Sequence, residues 1–281
     1  MPDQPDAFFL PVEMGQRFCL FYSAQGDRVR GQVLYVHPFA EEMNKSRRMA
    51  ALQARALALG GFDVLQIDLL GCGDSSGDFG DATWESWVND VVLGCRWLRE
   101  RRCAPDAAQE RAPLWLWGLR VGCLLAVEAA LQLEEPCNFL FWQPPSSGKP
   151  LLNQFMRLRT VGDMLGGQAT EGMAGMHRQL TDGIAIEVAG YRLSPELASG
   201  LEQASLVPPV GRGQMQRLAW FELSTRANSS VSPATTASFS SWRQSGFDAV
   251  LHTTNSPAFW QTTEIEEAPE LLEATTAVVC G

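Results

Sequence analysis

Leu114–Val127 reads LWLWGLRVGCLLAV, and the fold is decided there. The large apolar residues Leu114–Trp117 run into Gly118-Leu119-Arg120-Val121-Gly122, and an apolar helical pattern follows. This spells strand, sharp turn, helix, with a glycine on each side of a central residue. Glycines flanking the turn let it pack so tightly that the central side chain stands above the sheet. That side chain is Arg120, whose guanidinium stays protonated at physiological pH and cannot attack a carbonyl.

Composition bounds the rest. A chain of 281 residues fits one large α/β domain or a domain with an insertion. Its 46% apolar content suits a globular core, and 19% charged residues argue against wholesale disorder. The net charge of −10 argues against nucleic acid as the main partner, because phosphate binding needs a basic face. No apolar run reaches the roughly 18–20 residues of a membrane helix, and MPDQPDAFFLPVE lacks the pattern of a signal peptide. Seven scattered cysteines without a C-x-x-C pair read as reduced thiols in a cytoplasmic protein. The three histidines, His37, His177 and His252, lie far apart, so no metal site and no cofactor is expected.

In chain order, Phe8–Glu13 and Arg17–Ala24 read as an antiparallel pair, and Gln32–Val36 as a third strand. A helix after Arg48 stops at Gly60-Gly61, and Phe62–Ile67 is a strand delivering Asp68 into a glycine-rich loop, Leu69–Gly77. Thr83–Arg101 is a helix, followed by the opening strand, its helix, and the strand Asn138–Trp142. Alternating strands and helices predict a mostly parallel sheet covered on both faces, with the site at the strands' C-terminal ends. His37, Asp68 and Arg120 then open onto one edge. From Gln143 to about Arg212 the alternation breaks: helix-like pieces at Leu151–Met164 and Glu171–Leu180 surround Gly166-Gly167, and a short apolar run, Ile184–Val188, precedes a capped helix at Ser194. The alternation resumes with the strand Arg217–Leu223, a helix within Pro233–Ser245, the strand Phe247–Thr253 and a last helix at Glu264–Ala274. The expected organisation is a core of 1–142 and 213–281 with a cap insertion at 143–212.

This order of elements resembles the α/β-hydrolase fold over nearly the whole chain. His37-Pro38-Phe39 sits where that superfamily carries its oxyanion loop, Asp68–Gly77 resembles its D-x-x-G-x-G-x-S loop, and G-x-R-x-G aligns with its nucleophile elbow, G-x-S-x-G. More narrowly, HPFAEEMNKSRR (37–48), GLRVG (118–122), WQPPSSGK (142–149), EVAGYRLSPEL (187–197) and PAFWQTTEIEEAP (257–269) resemble the type-2 exosortase A system-associated hydrolases. That resemblance implies a bacterial locus for exopolysaccharide production and PEP-CTERM protein sorting, and with it a protein partner in that machinery. No substrate follows from it.

A serine-hydrolase triad would run nucleophile, acid, histidine along the chain. The nucleophile position holds Arg120. Glu222 is the one carboxylate near the acid position, and it reads equally as a strand residue pairing with Arg217 or Arg226. The loop Thr254–Trp260 contains no histidine, and His252 falls within the strand before it. Cys123 points a turn into the helix; Ser75 and Ser76 have no histidine beside them. The remaining catalytic candidates are His37, Asp68 and Arg120. His37 reads equally as a structural histidine bonded to loop backbone. For ligand binding the candidates are His37, Phe39, Glu41, Glu42, Arg120 and Val121: Arg120 would stand over a helix N-terminus, where free N–H groups favour an anion, and a guanidinium adds a fork for carboxylate or phosphate. Arg120 pairs equally well internally with Glu41, Glu42 or Asp68. Arg157, Arg159, Arg178 and Arg192 of the cap, and Met156, Met164, Met173 and Met176, would line the pocket or serve solubility and packing. Two readings of function follow: an atypical hydrolase or binder of a small acyl or anionic molecule, or a non-catalytic scaffold of the same machinery.

Overall fold

The computed structural model describes residues 4–101, 111–165, 172–209, 215–225 and 231–281. In chain order its elements are β1 (Asp6–Pro11), β2 (Gln16–Tyr22), β3 (Gly31–Val36), α1 (Glu41–Leu59), β4 (Phe62–Ile67), α2 (Trp84–Arg101), β5 (Leu114–Leu119), α3 (Val121–Gln132) and β6 (Cys137–Trp142). There follow α4 (Lys149–Leu165), α5 (Gly172–Thr181), β7 (Ile186–Val188), β8 (Tyr191–Leu193), α6 (Pro195–Gln203), β9 (Arg217–Ser224), α7 (Pro233–Gln244), β10 (Asp248–Asn255) and α8 (Pro269–Cys280). Eight strands form one sheet in the order β1-β2-β4-β3-β5-β6-β9-β10. β1 and β2 pair antiparallel, β2 joins β4 antiparallel, and the remaining strands run parallel.

Every residue of β3 and of β5 is buried, which is why these strands read as unbroken apolar runs and not as alternating ones. α1 and α8 cover one face with Met49, Leu57, Leu271 and Val279, against Tyr35, Trp117 and Trp142. α2, α3 and α7 cover the other through Trp87, Val91, Leu125 and Trp242, against Leu34, Leu116 and Phe141. The segment between β6 and β9 packs into this second core: Met156, Met176, Val188 and Leu197 are buried in the same cluster. Among the described residues no helix is long and apolar enough to cross a membrane.

Three expectations change. The break in alternation is not wholly helical, because β7 and β8 form an antiparallel hairpin at Ile186–Leu193. Its turn places Ala189 at φ 51° and Gly190 at φ 84°, so the Ala-Gly pair marks a reversal. β10 runs two residues further than expected, to Asn255, pairing along its whole length with β9. The last helix starts at Pro269, not Glu264: proline occupies its first turn, where a missing N–H costs nothing, and the acidic stretch before it is loop. Gly166, Gly167, Glu171, Arg212 and Arg226, and the side chain of Met164, lie outside the described residues.

Candidate functional site

The turn after β5 has the sharp geometry its sequence predicts. Arg120 sits at φ 56° and ψ −117°, a conformation that costs a non-glycine residue on the order of 1–3 kcal/mol. Its N–H donates to the Trp142 carbonyl at 3.0 Å, and its carbonyl accepts from Cys123 N–H at 3.0 Å, turning the chain into α3. Neither neighbouring glycine tolerates a side chain. A Cβ on Gly118 would lie 2.4 Å from the Cys123 nitrogen, and one on Gly122 would lie 2.1 Å from the Val36 carbonyl oxygen. A second tight turn stands beside the first: Ala40, at φ 50° and ψ −124°, leads from β3 into α1. Since β3 and β5 are neighbours, the two turns place the start of α1 next to the start of α3.

Glu42, in the first turn of α1, meets Arg120 there. Nη2 of Arg120 donates to Oε1 of Glu42 at 3.2 Å and Nε to Oε2 at 3.4 Å. Nη2 also donates to Oε1 of Gln154 on α4 at 3.1 Å, and the guanidinium carbon lies 5.5 Å from the centre of the Trp260 ring. Burial pushes the Glu42 carboxyl above its ordinary value, opposed by Arg120, Gln261 and Lys45. Of the internal partners open to Arg120, the structure selects Glu42. Room remains beside the pair. A cavity of about 300 Å³ is lined by Phe39, Ala40, Glu41, Glu42, Lys45, Arg120, Val121, Leu151, Gln154, Phe155, Leu158, Trp260 and Gln261.

Five candidate ligand residues, Phe39, Glu41, Glu42, Arg120 and Val121, therefore converge on one lining. His37 and Asp68 do not reach it. His37 is buried, its Nδ1 lies 2.8 Å from the Pro38 carbonyl oxygen, and its Nε2 accepts from Leu69 N–H at 3.3 Å. Both ring nitrogens are thus committed to backbone, with Nδ1 carrying the proton, and burial lowers the imidazole's pKa. Asp68 takes an ion pair from Arg47 at 2.9 Å and a bond from Asp74 N–H at 3.2 Å. The serines after it are occupied too: Ser75 Oγ accepts from Phe18 N–H and Ser76 Oγ from Gln16 N–H, tying this loop to β2.

The remaining nucleophile and triad candidates are structural. Cys123 is buried with Sγ donating to the Gly118 carbonyl, and burial pushes its thiol far up, so it holds no reactive thiolate. Glu222 accepts from Gln143 Nε2, Trp220 Nε1 and Thr235 Oγ1 and, among the described residues, pairs with no arginine; Arg217 turns instead to the Val278 carbonyl and the Trp115 ring. His252 lies flat on Phe221, with ring centres 5.1 Å apart. Of the described cap side chains named above, none lines the cavity; Met156 and Met176 are core, and Arg157 and Arg178 are exposed. Sequence reasoning missed Lys45, Gln154, Trp260 and Gln261. A signal existed for Trp260, which ends the loop searched for a histidine. Among the described residues no group of three His, Cys, Asp or Glu could hold a metal ion.

The comparisons with known proteins agree with this architecture. No protein-family model matches the chain. Over 190 residues it is 29% identical to human Protein ABHD12B, a match covering 56% of this chain and 49% of that protein. The chain thus spans about half the length of the curated relative it matches. Among solved structures it is similar to Est1E from Butyrivibrio proteoclasticus with ferulic acid bound (TM-score 0.64, 13% identity, 97% of this chain and 98% of that one). It is also similar to a soluble variant of monoglyceride lipase from Saccharomyces cerevisiae with a substrate analogue (0.63, 14%, 99% and 94%) and to a thermostable carboxyl esterase from Bacillus coagulans with glycerol (0.60, 12%, 99% and 97%). This is the α/β-hydrolase fold. In an α/β-hydrolase fold the β5–α3 turn is the nucleophile elbow, and the loop after the last strand is the one from which a triad histidine would come. Here the elbow presents Arg120 and that loop presents Trp260, the two in contact with each other.

Proposed function

We propose that this protein binds a small amphipathic molecule in the Arg120 cavity and does not hydrolyse it. The observation that carries this reading is the convergence of Arg120 and Trp260 in a single lining, where a nucleophile and its base would stand. Losing the nucleophile of a triad costs about 10⁶ in rate, and among the described residues the cavity lining offers no serine, cysteine or histidine to replace it. The walls suit a ligand with one polar end: Phe39, Leu151, Phe155 and Leu158 are apolar, and the Val121 and Gly122 N–H groups opening α3 have no intrahelical acceptor. Segment 143–212 acts as the cap, α4 contributing four wall residues. The esterase and lipase names of the structural neighbours bear on fold alone. Catalysis through His37 and Asp68 has little support, since both are spent on loop hydrogen bonds. The exosortase and exopolysaccharide setting rests on the quoted sequence strings.

The test is calorimetric titration with short acyl and aryl-alkyl acids, paired with a panel of aryl esters and thioesters. Saturable binding that is lost in Arg120→Ala, with no turnover of any ester, is expected. Turnover that survives in Arg120→Ala would refute the reading. One observation favours the second reading, a scaffold: Arg120 ties α1 to α4 through Glu42 and Gln154. A latch of that kind predicts a lowered Tm in Arg120→Ala without any small-molecule binding in the parent protein.

A further inference from the structure

The ion pair in the cavity is loosely made. Arg120 and Glu42 meet at 3.2 and 3.4 Å, whereas the two-pronged pair of Arg99 with Glu135 closes to 2.6 and 2.7 Å. Good charge-assisted N–H···O bonds lie near 2.7–2.9 Å. The Arg120 fork is also incompletely used. Nε and Nη2 take Glu42 and Gln154, while Nη1, with two N–H groups, has no acceptor among the described residues. The side chain is 12% exposed and borders the cavity, so these donors stand where a ligand in the cavity can meet them.

The charges facing Glu42 can be counted element by element. α1 supplies Glu41 and Lys45, the elbow supplies Arg120, α4 brings the neutral Gln154, and the loop after β10 brings Trp260 and Gln261, also neutral. Two cations face two anions. A bound carboxylate would leave one negative charge in excess, and burying an uncompensated charge is costly enough that a group neutralises instead. Glu42 is the group placed to do so: its carboxyl is already held above its ordinary value by burial, and its bond to Arg120 is the one a competing anion weakens.

Resting on the binding reading above, we propose that the ligand is a small carboxylic acid bound as its anion on the free edge of Arg120, and that Glu42 takes up one proton as it binds. The proton comes from solvent and ends on the Glu42 carboxyl, while the ligand's carboxylate takes over the charge of the guanidinium. No covalent bond changes. The acid's apolar part lies against Phe39, Phe155 and Leu158.

The probes are hexanoate and 3-phenylpropanoate, with their primary amides as uncharged counterparts. Titration calorimetry in two buffers of different ionisation enthalpy counts protons directly. The parent protein should bind both acids at least about tenfold more tightly than the amides. It should take up about one proton per ligand, and its affinity should fall as pH rises, by up to about tenfold per pH unit, because binding consumes a proton. In Glu42→Gln the proton uptake should vanish and affinity should become flat with pH. The proposal fails if amides bind as well as acids, or if the parent protein binds the acids with no proton uptake; the binding reading then stands alone. If neither acids nor amides bind, the binding reading itself has failed.

Discussion

Arg120 and His37 show how one residue type can be read rightly for its chemistry and wrongly for its place. A guanidinium at the elbow rules out attack from that atom on pKa alone, and this was legible from G-x-R-x-G. The pairing with Glu42 was one of three internal options, and only the side-by-side turns of Ala40 and Arg120 decide among them. His37 reads from the sequence equally as an acid or base and as a structural histidine, and the structure shows the backbone bonds of the second reading, to the Pro38 carbonyl and the Leu69 N–H. That role has a measurable pH signature. The folded protein keeps His37 neutral, its pKa below the ordinary imidazole value of 6.5, so the unfolded chain binds the proton more readily. Stability is therefore lost as pH falls through 6.5 toward the folded value. His37→Asn should cost about 1–3 kcal/mol in urea denaturation at neutral pH, through the unmade bond to Leu69 N–H. The gap between variant and parent should narrow toward about pH 5, since the variant lacks the titrating group. A gap that stays constant with pH would show that His37 is not held neutral.

At the scale of elements, the strands of the parallel core were legible because each is an unbroken apolar run bounded by glycine, proline or polar loops. β4 matches its expected span, Phe62–Ile67, β6 matches within a residue, and β5 starts at Leu114 as expected and runs on through Gly118 to Leu119. What escaped had weak local signals. The hairpin Ile186–Leu193 has strands of three residues, too short for a period to declare itself. The last helix was misplaced because an acidic run was taken as its start, although Pro269 marks the start by geometry. The elbow itself rests on contact distances, which yields a sharp expectation. Gly122→Ala would drive a methyl group into the Val36 carbonyl at 2.1 Å, on backbone that cannot rotate away. A loss of about 3 kcal/mol is expected, at the upper end for overpacked cores, and thermal denaturation would read it. A neutral Gly122→Ala would mean that α3 does not pack on β3 as described.

For the whole molecule, the two side chains that meet in the cavity lining lie far apart in sequence, and only the fold joins them. Arg120 precedes Trp260 by 140 of the chain's 281 residues, yet its guanidinium lies over the Trp260 ring in the cavity lining. No spacing rule announces such a contact, which is why Trp260 and Gln261 were missed, while five residues next to the recognisable turns were named from the sequence and line the same cavity. The sheet, both helical layers and the elbow are those of an α/β-hydrolase fold. The proposed departure lies in what the fold presents at the point of attack. The direct measurement is intact-protein mass spectrometry of the full chain after exposure to a fluorophosphonate, which phosphonylates activated serines with loss of fluoride. Binding without hydrolysis predicts an unchanged mass. A stoichiometric adduct, mapped to any serine of the chain, would contradict it.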